Sequence, residues 1–193
     1  MKRIIFATGN AGKMKEIREI LADLPYEVVS MKEAGFCPDI VEDGKTFEEN
    51  ALIKARTIAK LSGEIAMADD SGLEVDYLDK APGIYSARFM GEDTSYEIKN
   101  GYIMDRLKDV DGEARSARFV CAIACVWPDG KEKVCRATIE GQIARESAGE
   151  NGFGYDPIFY VPEFGKTTAQ LSMEEKNKIS HRAKALMEMK KEL

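Results

Sequence analysis

Two adjacent carboxylates, Asp69 and Asp70, follow the apolar run Ile65-Ala66-Met67-Ala68 and precede Ser71 and Gly72. If the run is a strand, neighbouring side chains point to opposite faces, so the two acids diverge unless a turn redirects the second. An unpaired charge at the end of a buried strand is costly. Acids there suit a site where a divalent cation or a proton needs an oxygen. The same residues also suit a capped turn, because Asp, Ser and Gly all favour turns. The segment alone does not separate the two readings.

Four further segments could carry chemistry. Thr8-Gly9-Asn10-Ala11-Gly12-Lys13 lies between a predicted strand and a helix start, where backbone N–H groups and the helix dipole favour an anion. It is not a P-loop, because Gly9 and Gly12-Lys13 are too close and Met14 replaces the Ser or Thr that binds Mg²⁺. A plain strand-to-helix turn is the alternative. Glu42 precedes a predicted helix on which Asn50 and Lys54, four apart, share a face; taken alone, Glu42 reads as a solvated loop acid. Gly152-Phe153-Gly154-Tyr155-Asp156-Pro157 sets aromatics between glycines. They either stack on a nucleobase or anchor a tight turn in the core. Lys176 stands before Ser180-His181-Arg182, and His181 is the single histidine, so one chain cannot build a multi-histidine metal site.

The elements that must position these groups alternate between the two periods. Residues 3–7 read as a buried strand. A helix follows from Gly12, with Met14, Ile17, Ile20, Leu21 and Leu24 as its apolar stripe and Pro25 ending it. Residues 26–30 read as a second strand. Thr46 and Glu49 form a capping-box pattern for a helix that Gly63 stops. A strand at 65–68 leads into the acids, a short strand follows at 73–78, and 81–91 is a long irregular loop. Thr94 with Glu97 is a second capping-box pattern, predicting a helix to about Val110. Strands over 118–127 and 132–140 flank Pro128-Asp129-Gly130-Lys131, a hairpin signal. A glycine-rich loop spans 149–157, and Ser172 with Glu175 opens the last helix, taken to contain Lys176, His181 and Arg182. Interleaved helices and strands with one hairpin predict a mixed α/β sheet covered by helices.

Composition narrows the class. A chain of 193 residues reads as one domain over 1–193. Lys plus Arg is 28 against 34 Asp plus Glu, and the net charge of −6 argues against a nucleic-acid polymer as partner. A small anion needs only a local cluster of cations. No apolar run approaches the ~20 residues that span a bilayer, and the stretch after Lys2-Arg3 is too short for a signal-peptide core. Cys37, Cys121, Cys125 and Cys135 lack metal-binding spacing, and Cys121 and Cys125 share one strand face. Reduced core thiols and a cytoplasmic location are expected.

Read in order, ATGNAGK (7–13), TFEENALIKA (46–55), ADDSGLEVD (68–76), APGIYSARF (81–89), GFGYDPIF (152–159) and KNKISHRAKAL (176–186) closely resemble the inosine triphosphate pyrophosphatase family, also called Ham1-like. The resemblance runs from residue 3 to about 187, with no departure at a motif position. It implies hydrolysis of ITP, dITP or XTP between the α- and β-phosphates, yielding nucleoside monophosphate and pyrophosphate and cleansing the nucleotide pool. It also implies Mg²⁺ on Glu42 and Asp70, with Asp70 as proton acceptor for the attacking water and Asp69 supporting the metal site. Thr8, Gly9, Asn10, Ala11, Gly12 and Lys13 would hold the phosphates, and Lys54 and Ser71 would contact the substrate. Phe153, Gly154, Tyr155, Asp156, Lys176, His181 and Arg182 would receive base and sugar. The implied fold is an elongated mixed β-sheet flanked by helices, in two lobes with the active-site cleft between them, usually in a homodimer.

Elementary chemistry agrees. Mg²⁺ is commonly held by one or two carboxylates plus phosphates and waters. Phosphoryl transfer needs mainly positioning and electrostatic stabilisation, consistent with the lack of a nucleophilic Ser/His or Cys/His pair. Hypoxanthine presents a 6-oxo acceptor where adenine presents an amino donor. Donors from His181, Arg182 or loop N–H groups facing that position would reject adenine. Competing readings are a pyrophosphatase acting on dTTP or UTP, a non-catalytic nucleotide sensor, and an interaction domain whose acidic segments are turns.

Overall fold

A computed structural model describes residues 2–193. The run Ile4-Ile5-Phe6 lies in β1 (Lys2–Phe6), which pairs in parallel with β2 (Tyr26–Ser30) and with β3 (Ile65–Val75). Ile5 stands opposite Val29 on one side and Ala66 on the other. Ile4, Ile5, Phe6, Ala66, Met67 and Ala68 are all fully buried. Strands covered on both faces need continuous apolar runs rather than alternation, as found here. The connections are α1 (Ala11–Ile20) and α2 (Phe47–Ser62).

The remaining elements are α3 (Tyr96–Arg106), β4 (Ser116–Val126), β5 (Glu132–Ile143), β6 (Phe159–Val161), β7 (Lys166–Thr167), α4 (Met173–Ile179) and α5 (His181–Lys190). The seven strands pair in the order β2-β1-β3-β4-β5-β6-β7, with β6 antiparallel to both β5 and β7. The sheet is mixed and open, as the alternation of periods predicts. Between β4 and β5, the Trp127 N–H donates to the Lys131 carbonyl at 2.9 Å and Gly130 adopts φ +88°, closing the expected hairpin. Among the described residues, no helix is long and apolar enough to cross a membrane.

The chain divides into two compact units. Unit 1 is Met1–Ser71, Cys121–Ala137 and His181–Leu193; unit 2 is Gly72–Val120 and Thr138–Ser180. Each has its own core. In unit 1, Phe6, Met14, Ile17 and Met67 pack with Cys121, Cys125 and Leu186. In unit 2, Leu73 and Val75 pack with Ile103, Phe119, Ile143 and Phe159. The four cysteines are unbridged, and Cys121 and Cys125 are core residues as expected.

Several local expectations need correction. No turn forms at Asp69-Asp70-Ser71-Gly72: β3 runs straight through it. Thr46 Oγ1 accepts the Glu49 N–H at 3.1 Å, but the Glu49 carboxylate takes the Lys45 N–H at 2.6 Å instead of that of Thr46. The cap of α3 is Ser95, because the Thr94 hydroxyl donates to the Met90 carbonyl, and the helix stops at Arg106 rather than Val110. Ser172 and Glu175 do form a reciprocal box. The last helix is two: Ser180 is extended, at φ −65° and ψ 153°, and separates α4 from α5.

Candidate active site

The turn from β1 to α1 is built around two side-chain acceptors. Thr8 Oγ1 accepts the Asn10 N–H at 3.2 Å, and Asn10 Oδ1 accepts the Lys13 N–H at 3.0 Å, capping α1. Gly9, Asn10 and Ala11 are exposed, Gly12 is half-buried, and a Cβ added at Gly9 would meet nothing within 4 Å. Protein packing therefore does not demand glycine at position 9, and the space beside it is open. The Lys13 ammonium lies 3.0 Å from Asp69 Oδ2.

Beyond Ala68, β3 carries the acids. Asp69 is buried; its Oδ2 accepts the Ser71 hydroxyl at 2.8 Å and lies 3.4 Å from both Nε and Nη2 of Arg182. Burial alone would raise the Asp69 carboxyl, but Lys13, Arg182 and Lys54 outweigh it and hold it well below the usual carboxylate range. Asp70 is provisioned otherwise. Its Oδ1 lies 3.5 Å from Lys54 Nζ, and its Oδ2 is buried without a hydrogen-bond partner. Burial pushes Asp70 up to about 6 against the pull of Lys54 and Lys13, with Glu42 and Asp69 adding repulsion.

Glu42 comes from the loop before α2 and lies 2.6 Å from the same Lys54 nitrogen. Two carboxylates far apart in sequence thus share one ammonium. Burial would lower Lys54, but Asp69, Asp70 and Glu42 together keep it raised and charged. Asn50, one turn before Lys54, positions the loop: its Oδ1 accepts the Gly44 N–H at 2.8 Å. A Cβ at Gly44 would lie 2.6 Å from that oxygen, so the close approach requires glycine.

This donor set fits a hard divalent cation. It offers only oxygens, two carboxylates from separate segments meet at one positive charge, and Asp70 keeps a buried oxygen unpartnered. Among the described residues, no three His, Cys, Asp or Glu side chains gather to hold a metal. A cation bound here would take its other ligands from substrate and water.

Unit 2 holds the aromatic loop. Asp156 is buried: its Oδ1 accepts the Thr168 hydroxyl at 2.7 Å, and its Oδ2 accepts the Phe153 N–H at 2.9 Å and the Lys176 ammonium at 2.7 Å. The Lys176 nitrogen also stands 5.0 Å from the centre of the Phe153 ring. Gly152 adopts φ +71°, and a Cβ there would collide with Asp156 Oδ2. The Tyr155 ring is buried and its hydroxyl donates to the Ser86 carbonyl at 2.6 Å. Burial raises its pKa, so it stays a donor. The two aromatics differ: Tyr155 anchors the loop in the core, and Phe153 is half-buried.

Unit 1 brings together Lys13, Glu42, Lys54, Asp69, Asp70, Ser71 and Arg182, and unit 2 brings together Phe153, Tyr155, Asp156 and Lys176. Lys176 does not share a helix with His181 and Arg182: it lies on α4 in unit 2, and they open α5 in unit 1. Both of those residues are buried, and the Arg182 guanidinium pairs with buried Glu16 as well as Asp69. Glu16 and Thr168 escaped sequence reading. Glu16 is a buried residue of α1 with nothing local to mark its partner, and Thr168 belongs to a plain polar run.

The sequence profile of the Ham1 family matches residues 4–192. A Bacillus licheniformis protein named dITP/XTP pyrophosphatase is 49% identical, over 98% of this chain and 96% of its own. Among solved structures, the Staphylococcus aureus Ham1 protein matches with a TM-score of 0.86 at 45% identity, covering 97% of this chain and 96% of the other. A HAM1 protein from Coxiella burnetii matches with a TM-score of 0.88 at 43% identity, covering 98% and 96%. With a profile match across nearly its whole length and near-half identity to such relatives, the chain belongs to the Ham1 family.

Proposed function

We propose that this protein hydrolyses ITP, dITP and XTP at the α–β phosphoanhydride, releasing nucleoside monophosphate and pyrophosphate and so clearing the nucleotide pool of these purines. The observation that carries the reading is Asp70, a largely buried carboxylate with one oxygen unpartnered, beside a lysine shared with Glu42. An ionised Asp70 takes the proton of the attacking water as the anhydride breaks and pyrophosphate departs. Glu42 and Asp70 would hold Mg²⁺, which when bound neutralises phosphate charge.

The residues from Thr8 to Lys13 receive phosphate oxygens through the N–H groups at the start of α1 that Thr8 and Asn10 do not already take, and Lys13 and Lys54 offset the remaining negative charge. Asp69 supports the acid cluster by holding Lys13 and Arg182, and Ser71 contacts the substrate. The base and sugar are received by Phe153, Gly154, Tyr155, Asp156, Lys176, His181 and Arg182, with Phe153 supplying the stacking face and Asp156 fixing its backbone. The chain works as one domain over residues 1–193. The free core thiols Cys121 and Cys125 favour a reducing cytoplasmic setting. The family resemblance favours a homodimer, which light scattering checks.

A panel of nucleoside triphosphates with identified products tests the reading. Monophosphate and pyrophosphate from ITP, dITP and XTP, with ATP little used, are expected in Mg²⁺ buffer. Preference for dTTP or UTP overturns the purine assignment, and nucleotide binding without turnover makes the protein a sensor.

A further inference from the structure

Helix α3 places Lys99 and Asn100 side by side, at 1% and 4% exposure. Neither belongs to the site assigned above. The Lys99 ammonium donates to the Ala87 carbonyl at 2.8 Å and stands 4.6 Å from the centre of the Tyr96 ring, so its neighbours are a carbonyl and an aromatic face. Burying an ammonium against such partners is costly compared with burying an apolar side chain of the same length. Asn100 Nδ2 donates to the Gly154 carbonyl at 3.1 Å, while its Oδ1 is buried without a hydrogen-bond partner. Here too a leucine would pack with less loss, so packing alone does not account for either residue.

What they have in common is the loop pair they hold. Gly154 adopts φ +65°, and a Cβ there would rest 3.6 Å from the Tyr96 ring. Tyr96 meets Tyr155 edge-on, with centroids 5.1 Å apart and planes at 89°. The Tyr155 hydroxyl reaches the Ser86 carbonyl, next to the Ala87 carbonyl that Lys99 holds. The Ser86 hydroxyl in turn donates to the Gly83 carbonyl at 2.6 Å and accepts the Leu73 N–H at 2.9 Å. Three residues within one five-residue stretch of α3, Tyr96, Lys99 and Asn100, thereby tie the loop around 83–87 to the loop around 152–156.

We propose that Asn100 and Lys99 are positioning residues for base recognition, fixing the Gly154 and Ala87 carbonyls so that Phe153 and its loop present one set surface to the purine. The proposal rests on the base-receiving role of residues 153–156 put forward above. A preset loop spends no substrate binding energy on being ordered, so losing it weakens binding of any ligand that carries a base.

The test compares Asn100→Asp, Lys99→Met and Phe153→Ala, all in the full-length protein with Mg²⁺. Asn100→Asp keeps the side-chain shape but turns the donor facing Gly154 into an acceptor. Lys99→Met keeps the unbranched stem and serves where Asn100→Asp does not fold. Kinetics with ITP are read beside inhibition by inorganic tripolyphosphate, which lacks a base. Asn100→Asp and Lys99→Met are expected to raise KM for ITP about fivefold, the loss of one hydrogen bond. Both kcat and tripolyphosphate inhibition should stay within about twofold. An unchanged KM in both variants, alongside a raised KM in Phe153→Ala, overturns the α3 proposal and leaves the loop reading standing. Equal losses in kcat and tripolyphosphate inhibition overturn it as well, since they mark a merely structural role. If Phe153→Ala leaves KM unchanged, the loop does not receive the base and both readings fall.

Discussion

Asp156 is buried beside buried Lys176 and Asp70 is half-buried beside half-buried Lys54, yet the two aspartates are provisioned in opposite ways. Asp156 has both oxygens occupied, by the Thr168 hydroxyl, the Phe153 N–H and the Lys176 ammonium. Asp70 has one oxygen near Lys54 and the other with no hydrogen-bond partner. A carboxylate whose own protein saturates it serves as scaffold. One left short of partners carries a standing cost that a ligand or a proton relieves.

The largest effect that could break this contrast is on turnover. Asp70→Asn should lower pyrophosphate release by about 10²- to 10⁴-fold, the range expected for loss of a general base, with nucleotide binding retained. Full turnover in that variant removes Asp70 from proton transfer. Asp156 should reveal itself in stability instead. Asp156→Ala leaves the buried Lys176 ammonium without its carboxylate and should cost about 3–5 kcal/mol in urea unfolding. A loss under about 1 kcal/mol would mean that the network is not a scaffold.

The contrast also has a pH signature in metal-free protein. Asp70 is pushed up to about 6, above its unfolded value, so the native state binds its proton more tightly than the unfolded chain. Stability from this group is therefore present at low pH and is lost as pH rises from about 4 to about 6. The amide that replaces the carboxyl in Asp70→Asn cannot ionise, so with EDTA this variant should be more stable than the parent at pH 7.5. The gain is up to roughly 3 kcal/mol and vanishes toward pH 4. A constant difference across that window would show that Asp70 is not strained by burial. The smallest effect sharpens the role of Arg182, which Glu16 and Asp69 hold at the start of α5. Arg182→Ala should raise KM for ITP about tenfold, the scale of one charge-assisted hydrogen bond. An unchanged KM removes Arg182 from substrate contact.

Much of the molecule was legible because the deciding interactions are local. A helix cap closes within a few residues, so Thr46, Gly63 and the Ser172–Glu175 box could be read directly. The buried runs 4–6 and 65–68 marked their strands by apolar continuity. The misreadings share a different cause. The strand was expected to break at Asp69-Asp70-Ser71-Gly72, a segment left open between a turn and a cation site, because its local chemistry favours turns. Lys13, Lys54 and Arg182 come from distant segments to offset the acids, and that lets the strand continue. Likewise, Thr94 and Ser95 are both good caps, and the choice between them depended on whether the Thr94 hydroxyl found the Met90 carbonyl.

By itself, the sequence determined the mixed α/β architecture, the glycine-lysine turn, the acids available for a cation and the family. These follow from residue type, period and short spacing. Only tertiary structure decided which acid is satisfied and which is left waiting, that Glu16 meets Arg182 across 166 residues, and that the Tyr155 ring is buried while Phe153 is half-buried beside the Lys176 ammonium. Charge balance and burial are sums over neighbours in space, and the chain's order does not record who those neighbours are.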